Sequence, residues 1–211
     1  MGFGIAFLGY CFLLLHSAGL GIVAAPLLAY GFFLASRLDK SFLYASVSAL
    51  FMLPRGIIVL LDLFLPVAGI DYQITARLPW LNLGSYLLFF IAWFFMIFYH
   101  CAAVRRIAAE NDHAKLKSSA NRQLYLSSLF IAVAISMVLF SQFVDMALTA
   151  WALVAYYVVL LSNMFFTHTC LVLITSEDQY EKDKEMVAEH NRQVMERRAR
   201  DLEKFKKRKK R

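Results

Sequence analysis

Five long apolar stretches dominate the chain and leave it few ways to fold. They cover residues 3–36, 42–68, 81–104, 124–143 and 146–175, and each meets or exceeds the roughly 20 residues that a helix needs to cross about 30 Å of hydrocarbon. Lipid cannot hydrogen-bond to backbone groups, so only helices and closed barrels cross a membrane. None of the stretches alternates apolar and polar residues as barrel strands do. The sequence therefore predicts an all-α fold, a polytopic transmembrane helical bundle.

The first apolar stretch decides between five and six spans. As one helix its 34 residues would be about 51 Å long at 1.5 Å per residue, well beyond the bilayer. Two glycines and a serine within residues 16–21 favour a turn there, with His16 solvated beside it. The sequence thus favours six spans, near 2–16, 22–36, 42–66, 81–104, 124–143 and 146–175. The alternative is five spans, with one tilted first helix kinked at Pro26.

Lysine and arginine residues orient the bundle. Of the 22 in the chain, 20 lie in three stretches: two at residues 37–40, five in the loop 105–123, and thirteen after Thr175. Short loops rich in these residues stay on the cytoplasmic side. We therefore expect a multi-pass bundle over residues 1–175, with the loop 105–123 and the C-terminus in the cytoplasm. A prokaryotic plasma membrane is the expected location.

Arg55 is the residue that is costliest to place in lipid. It lies near the middle of the third span, between Pro54 and Gly56, where insertion costs about 2.5–3.5 kcal/mol. One interpretation is functional: Arg55 binds a substrate or partner, and Asp62 lies on the same helix face two turns further on. The other is structural: Pro54 and Gly56 open the helix, and Arg55 hydrogen-bonds to the freed carbonyl groups.

Motifs for catalysis are absent from the sequence, which contains no GxSxG, HExxH, P-loop or GxGxxG pattern. We predict no cofactor, and we expect His100 and His168 to be packing residues rather than ligands. Asn163 is expected to hydrogen-bond between helices. The predicted function is a non-enzymatic membrane component that binds or assembles partners. The alternatives are a small transporter or channel subunit with Arg55 and Asp62 in the pathway, and an unrecognised membrane enzyme.

Residues 176–211 form a charged tail that should continue the last span as a cytoplasmic helix. They include 13 basic and 9 acidic residues and neither Gly nor Pro. At about 100° per residue one narrow apolar stripe forms, which predicts contact with a protein partner or a second copy of the chain. The stripe consists of Tyr180, Val187, Val194, Leu202 and Phe205.

A basic cluster ends the tail. It could attract anionic lipid head groups or, less favoured, RNA or a ribosome, in addition to fixing the orientation in the lipid bilayer. The cluster consists of Lys204, Lys206, Lys207, Arg208, Lys209, Lys210 and Arg211.

Truncation after Thr175 tests the role of the tail. We expect oligomers or co-purifying proteins to disappear while the bundle stays monodisperse, because the apolar stripe is removed and the spans are kept. Size-exclusion chromatography with light scattering measures both properties. Truncation after Glu203 is the control, since it removes the basic cluster and leaves most of the stripe. Assembly that is unchanged after the longer truncation would contradict the prediction.

Overall fold

A computed structural model describes residues 2–70, 72–140 and 144–174. The predicted tail stripe and basic cluster lie outside these residues. Within them every regular element is a helix, and four helical segments are long and apolar enough to cross a membrane: Ser41–Val67, Pro79–Glu110, Ala114–Leu139 and Met146–Ile174. The prediction of an all-α helical bundle is confirmed, and these four segments have the length and the apolarity that membrane-spanning helices require.

Eight α-helices follow one another in the described part of the chain. They are α1 (Gly2–Leu14), α2 (Gly21–Ala35), α3 (Ser41–Leu50), α4 (Leu53–Val67), α5 (Ile74–Arg77), α6 (Pro79–Glu110), α7 (Ala114–Leu139) and α8 (Met146–Ile174). Helices α3 and α4, with a turn at residues 51–52 between them, together form Ser41–Val67, the first of these four segments. The contacts that form the bundle lie within the residues up to Leu171.

The first apolar stretch folds as a helical hairpin. A single 3₁₀ turn at His16–Ala18 ends in Gly19, whose φ of 81° lies in the left-handed region that favours glycine. A side chain at this position would also collide with α4, because a Cβ atom there would lie 2.9 Å from Leu60 Cδ1. The break is therefore at residues 16–20, and Pro26 lies inside α2.

The hairpin is too short to match the helices around it. Its 13- and 15-residue helices are about 20 and 22 Å long at 1.5 Å per residue. The turn packs beside Leu60 of α4 and Phe89 of α6. These residues are seven and ten positions from the ends of their helices at Val67 and Pro79, or about 10 and 15 Å. The neighbouring helices therefore extend past the tip of the hairpin.

The predicted loop 105–123 is mostly helical. Helix α6 continues to Glu110 and α7 starts at Ala114, so only residues 111–113 form the turn. The prediction placed the helix ends where apolarity stops, but polar residues can extend a helix into water. Arg106 pairs with Asp39 at 3.3 Å and donates to Ser41 Oγ. Two of the three basic stretches thus meet at one end of the bundle.

An aromatic cluster fills the bundle near that end. The His100 side chain is 1% exposed, and its ring contacts Phe3, Phe32, Phe42 and Phe166 with centroid distances of 4.9–6.2 Å. His168 packs separately on Phe7, at 5.6 Å. No set of three His, Cys, Asp or Glu residues in the described ranges could hold a metal ion.

Buried polar side chains join α7 to α8. Asn163 Nδ2 donates to Ser127 Oγ at 3.1 Å, as expected for a hydrogen bond between helices, and also to its own helix at Val159 O. Ser162 Oγ donates to Gln123 Oε1 at 2.7 Å, and Gln123 Nε2 donates weakly to Ser127 Oγ at 3.4 Å. Because lipid offers no alternative partners, this network fixes the register of the two helices.

Replacing Ser127 with alanine tests the network. We expect Ser127→Ala to lower the free energy of unfolding by about 0.5–1.5 kcal/mol, the range of such bonds in membranes, since the amide of Asn163 loses its partner on α7. Ser136→Ala is the matched control, because the Ser136 hydroxyl is exposed and bonds only within α7, to Ala132 O. Unfolding in mixed micelles measures both variants. Equal losses of unfolding free energy in the two variants would show that the network does not fix the register of α7 and α8.

Candidate functional site

Arg55 lies where α4 crosses the start of α2. Helix α4 begins anew at Leu53 after the turn, with Pro54 in its first turn, where a missing backbone N–H costs little. At Gly56, the residue that follows Arg55, a Cβ atom would lie 2.7 Å from Ile22 N and 2.8 Å from the carbonyl carbon of Gly21. The two backbones therefore touch directly, and this contact holds Arg55 beside the tip of the hairpin.

The guanidinium group of Arg55 reaches one face of α6. Its Nη1 donates to Asn82 Oδ1 at 2.7 Å and to Ser85 Oγ at 3.4 Å, and its Cζ lies 3.6 Å from the ring centroid of Tyr86, a cation–π contact. The structural interpretation had Arg55 bonding to carbonyl groups freed by Pro54 and Gly56. That interpretation is wrong in its partners, because side chains of α6 at i, i+3 and i+4 spacing present a closer polar face.

In the described ranges, no carboxylate forms an ion pair with Arg55. Arg55 is only 6% exposed. No Asp or Glu of the described residues lies within ion-pair distance of its guanidinium group. Its Nε is buried without a hydrogen-bond partner. A buried charge without a counter-charge is costly, so this position demands an explanation beyond packing.

Asp62, the predicted companion of Arg55, has a different role in the structure. Its carboxylate accepts hydrogen bonds from Ile74 N at 2.6 Å, from Thr75 N at 3.2 Å and from the Thr75 hydroxyl. These bonds hold the first residues of α5 against α4. Asp62 thus organises the connection between α4 and α6, and it is not among the residues that line the cavity described next.

A cavity of about 620 Å³ lies beside Arg55 and above the tip of the hairpin. Its floor consists of Leu14, His16 and Ser17. One wall comes from α4 and α6, with Arg55, Val59, Tyr86, Phe89 and Phe90. The opposite wall comes from α7, α8 and the connection between them, with Phe130, Ala134, Met137, Val138, Val144, Thr149, Ala152, Leu153, Tyr156 and Tyr157.

Polar groups are unevenly distributed around the cavity. Arg55, His16, Ser17 and Tyr86 lie at the floor and on the α4–α6 side, whereas every lining residue of α7 is apolar. The cavity is therefore amphipathic: the positive charge lies on one side, and the opposite wall combines the apolar residues of α7 with Thr149, Tyr156 and Tyr157 among the residues of α8.

His16 departs from its predicted solvated position. The ring stacks on Phe89 at 5.1 Å, and its Nδ1 is buried without a partner. A Cβ atom on Gly21 would lie 2.2 Å from this nitrogen, so the edge that carries Nδ1 faces the backbone of α2. Nε2 is consequently the ring nitrogen that remains available to a molecule in the cavity.

Sequence reasoning missed most of this site. The polar residues Asn82, Ser85 and Tyr86 could have been found, since their spacing marks one helix face in an otherwise apolar span. The aromatic and aliphatic residues of α7 and α8 gave no signal, because apolar side chains that line a cavity resemble those that face lipid.

Asn82 variants test how Arg55 is held. Asn82→Leu removes the carboxamide that accepts from Nη1, and we expect it to lower the free energy of unfolding by about 1 kcal/mol for this half-exposed, charge-assisted bond. Asn82→Asp keeps an acceptor oxygen and adds a counter-charge, so its stability should match or exceed that of the unmodified chain. Thermal unfolding in nanodiscs compares them. Two variants that lose stability equally would show that this bond does not hold Arg55.

Comparison of the chain with protein-family models, with curated proteins and with solved structures gives no match. The functional argument therefore rests on the geometry and the charge of the cavity.

Proposed function

We propose that this chain is a non-enzymatic membrane protein that binds a small molecule in the cavity beside Arg55. The observation that carries the proposal is a buried cation, without an ion pair to any described carboxylate, on the wall of a 620 Å³ cavity. Charged residues inside membrane bundles commonly mark binding sites or pathways, so a functional role is the default hypothesis for Arg55. The volume falls within the about 300–1,000 Å³ typical of ligand pockets.

The bundle is closed beneath the cavity, which favours binding over a channel. On α6, Trp93, Met96, Ile97 and His100 follow the cavity residues Phe89 and Phe90, and each is at most 1% exposed. His100 is eleven residues beyond Phe89, about 16 Å along the helix, and is surrounded by aromatic rings. The transporter alternative would require this packed region to open. It would also have to bring Asp62 into the pathway, since Asp62 is not among the residues that line the cavity.

The lining also favours binding over catalysis. No carboxylate that could orient a base is among the described lining residues. His16 and Ser17, the base and the hydroxyl at the floor, are not hydrogen-bonded to each other, so an activated nucleophile is not assembled there. His16 is a titratable group at the floor, but its Nδ1 is enclosed without an orienting partner. A binding role needs only the charge and the shape that the cavity has.

The proposed topology places the cavity on the outer side of the membrane. Arg106 and Asp39 meet at one end of the bundle, and the positive-inside rule assigns that end to the cytoplasm. With six spans, including the short hairpin, both termini would be cytoplasmic. The charged tail would then be available to a protein partner or to a second copy of the chain inside the cell, while the cavity faces outward.

Cysteine labelling at the floor of the cavity tests the proposed binding role. Ser17 is exposed and lines the floor. In a background with Cys11, Cys101 and Cys170 replaced by alanine, the Ser17→Cys thiol is expected to react with a membrane-impermeant reagent in phosphatidylcholine nanodiscs. A lipid extract of the expressing membranes should slow the reaction several-fold, because a bound molecule shields the floor. Either an unreactive thiol or an extract without effect would overturn the proposal.

A matched pair of tryptophan variants controls the labelling experiment. Ala152 lines the cavity, whereas Ala150 is exposed on the same helix and is not a lining residue. Ala152→Trp should fill the cavity, slow the labelling of residue 17, and abolish any further effect of the extract. Ala150→Trp adds the same side chain on another face of α8 and should change neither rate.

A further inference from the structure

We infer that the molecule bound in the cavity is an amphiphilic oxyanion: a carboxylate or phosphate group on a long apolar chain. This inference rests on the proposed binding function and names its ligand class. It places the oxyanion at Arg55 and the apolar chain against Phe130, Met137 and Leu153 of the opposite wall.

Arg55 selects for negative charge. Its guanidinium is buried and forms no ion pair with any described carboxylate. Neutral acceptors satisfy it only in part, because Asn82 and Ser85 both accept from Nη1 and Nε has no hydrogen-bond partner. Guanidinium groups recognise carboxylates and phosphates through short, charge-assisted hydrogen bonds. A neutral molecule in the cavity would leave the guanidinium without an ion pair, because Asp62, the described carboxylate that attracts it, lies beyond ion-pair distance.

The opposite wall selects for an apolar body. The lining residues of α7 offer no hydrogen-bonding side chain. On α8 the Thr149 hydroxyl donates to Asp145 O and the Tyr156 hydroxyl donates to Leu13 O at 3.5 Å, which leaves Tyr157 as the third polar lining residue of this wall. A small inorganic anion could satisfy Arg55 but would leave most of the 620 Å³ in contact with apolar side chains. Burial of a hydrocarbon chain against them is favourable by about 25 cal/mol per Å².

The floor supplies further polar contacts for a head group. His16 has Nε2 available, since its Nδ1 edge faces Gly21, and Ser17 is exposed beside it. Both line the same cavity as Arg55. The arrangement of one cation with two neutral polar groups fits a single oxyanion better than a head group of higher negative charge.

Defined probes test the ligand class through the labelling of the Ser17→Cys thiol in phosphatidylcholine nanodiscs. Oleate combines the charge with the chain, oleyl alcohol keeps the chain without the charge, and inorganic phosphate keeps the charge without the chain. We expect oleate to slow the labelling, oleyl alcohol to require about a tenfold higher concentration for the same effect, and inorganic phosphate to have none. Equal protection by oleate and oleyl alcohol would overturn the inference, as would protection by inorganic phosphate alone.

Variants of two arginines test which positive charge binds the oxyanion. Arg55→Met should weaken protection by oleate about tenfold or more, because the oxyanion loses its partner. Arg77→Met is the control, since Arg77 contacts Tyr72 outside the cavity and should leave protection unchanged. Undiminished protection of the Arg55→Met protein would overturn the inference. If that variant does not fold, the comparison of oleate with oleyl alcohol on the parent protein still decides.

Two sources of the oxyanion are separated by changing the bilayer. Replacing part of the phosphatidylcholine with phosphatidylglycerol supplies, without added oleate, a lipid phosphate whose negative charge is not cancelled by a choline group. Protection by phosphatidylglycerol identifies a bilayer lipid as a source, and protection by oleate alone identifies a free carboxylate; both outcomes support the inference. If the membrane extract protects the thiol but none of these anionic amphiphiles does, binding stands and the ligand class is wrong. If nothing protects it, both fail.

Discussion

The mismatch in length between the α1–α2 hairpin and its neighbours is the constraint on which the rest of the structure depends. Two helices of 13 and 15 residues cannot fill a bundle whose other segments have 26 to 32 residues. Where the hairpin ends, α4, α6, α7 and α8 continue, and the space between them becomes the cavity. The turn chemistry of residues 16–19 therefore sets the depth of the floor as well as the end of a helix.

The same hairpin explains how a charge can be placed inside the bundle. Glycine at positions 21 and 56 lets the backbones of α2 and α4 touch, which brings Arg55 to the level of the floor. From there the side chain reaches the polar face of α6 formed by Asn82, Ser85 and Tyr86. These neutral groups lower the cost of burial without cancelling the charge, so Arg55 keeps its attraction for an anion.

Four other polar residues of the bundle have identifiable partners. Asp39 pairs with Arg106, Asp62 holds the start of α5, Asp145 accepts from Leu148 N at the start of α8, and Asn163 bonds to Ser127. Each of them joins helices or ends one, as expected where lipid cannot satisfy polar groups. Arg55 differs from these four residues because, among the described residues, only neutral side chains contact its buried charge, and this contrast marks it as a candidate binding residue.

The sequence by itself determined the helical membrane class, the break after the first helix and the singular position of Arg55. Apolar length, turn residues and the cost of a charge in lipid act locally and can be counted along the chain. It failed at the partners of Arg55 and at the extent of the helices around residues 105–123, and it did not anticipate the hydrogen bonds of Asp62 to the start of α5. These features depend on neighbours distant in sequence or on helices that continue into water.

The cavity was decided by the tertiary structure alone. Phe130 and Met137 look like lipid-facing residues in the sequence, and only the packing of α7 and α8 around a short hairpin turns them toward an enclosed space. The hydrophobicity of such side chains indicates only that they avoid water. Whether they meet lipid, another helix or a ligand is decided by which helices end early, and that is a property of the assembled bundle.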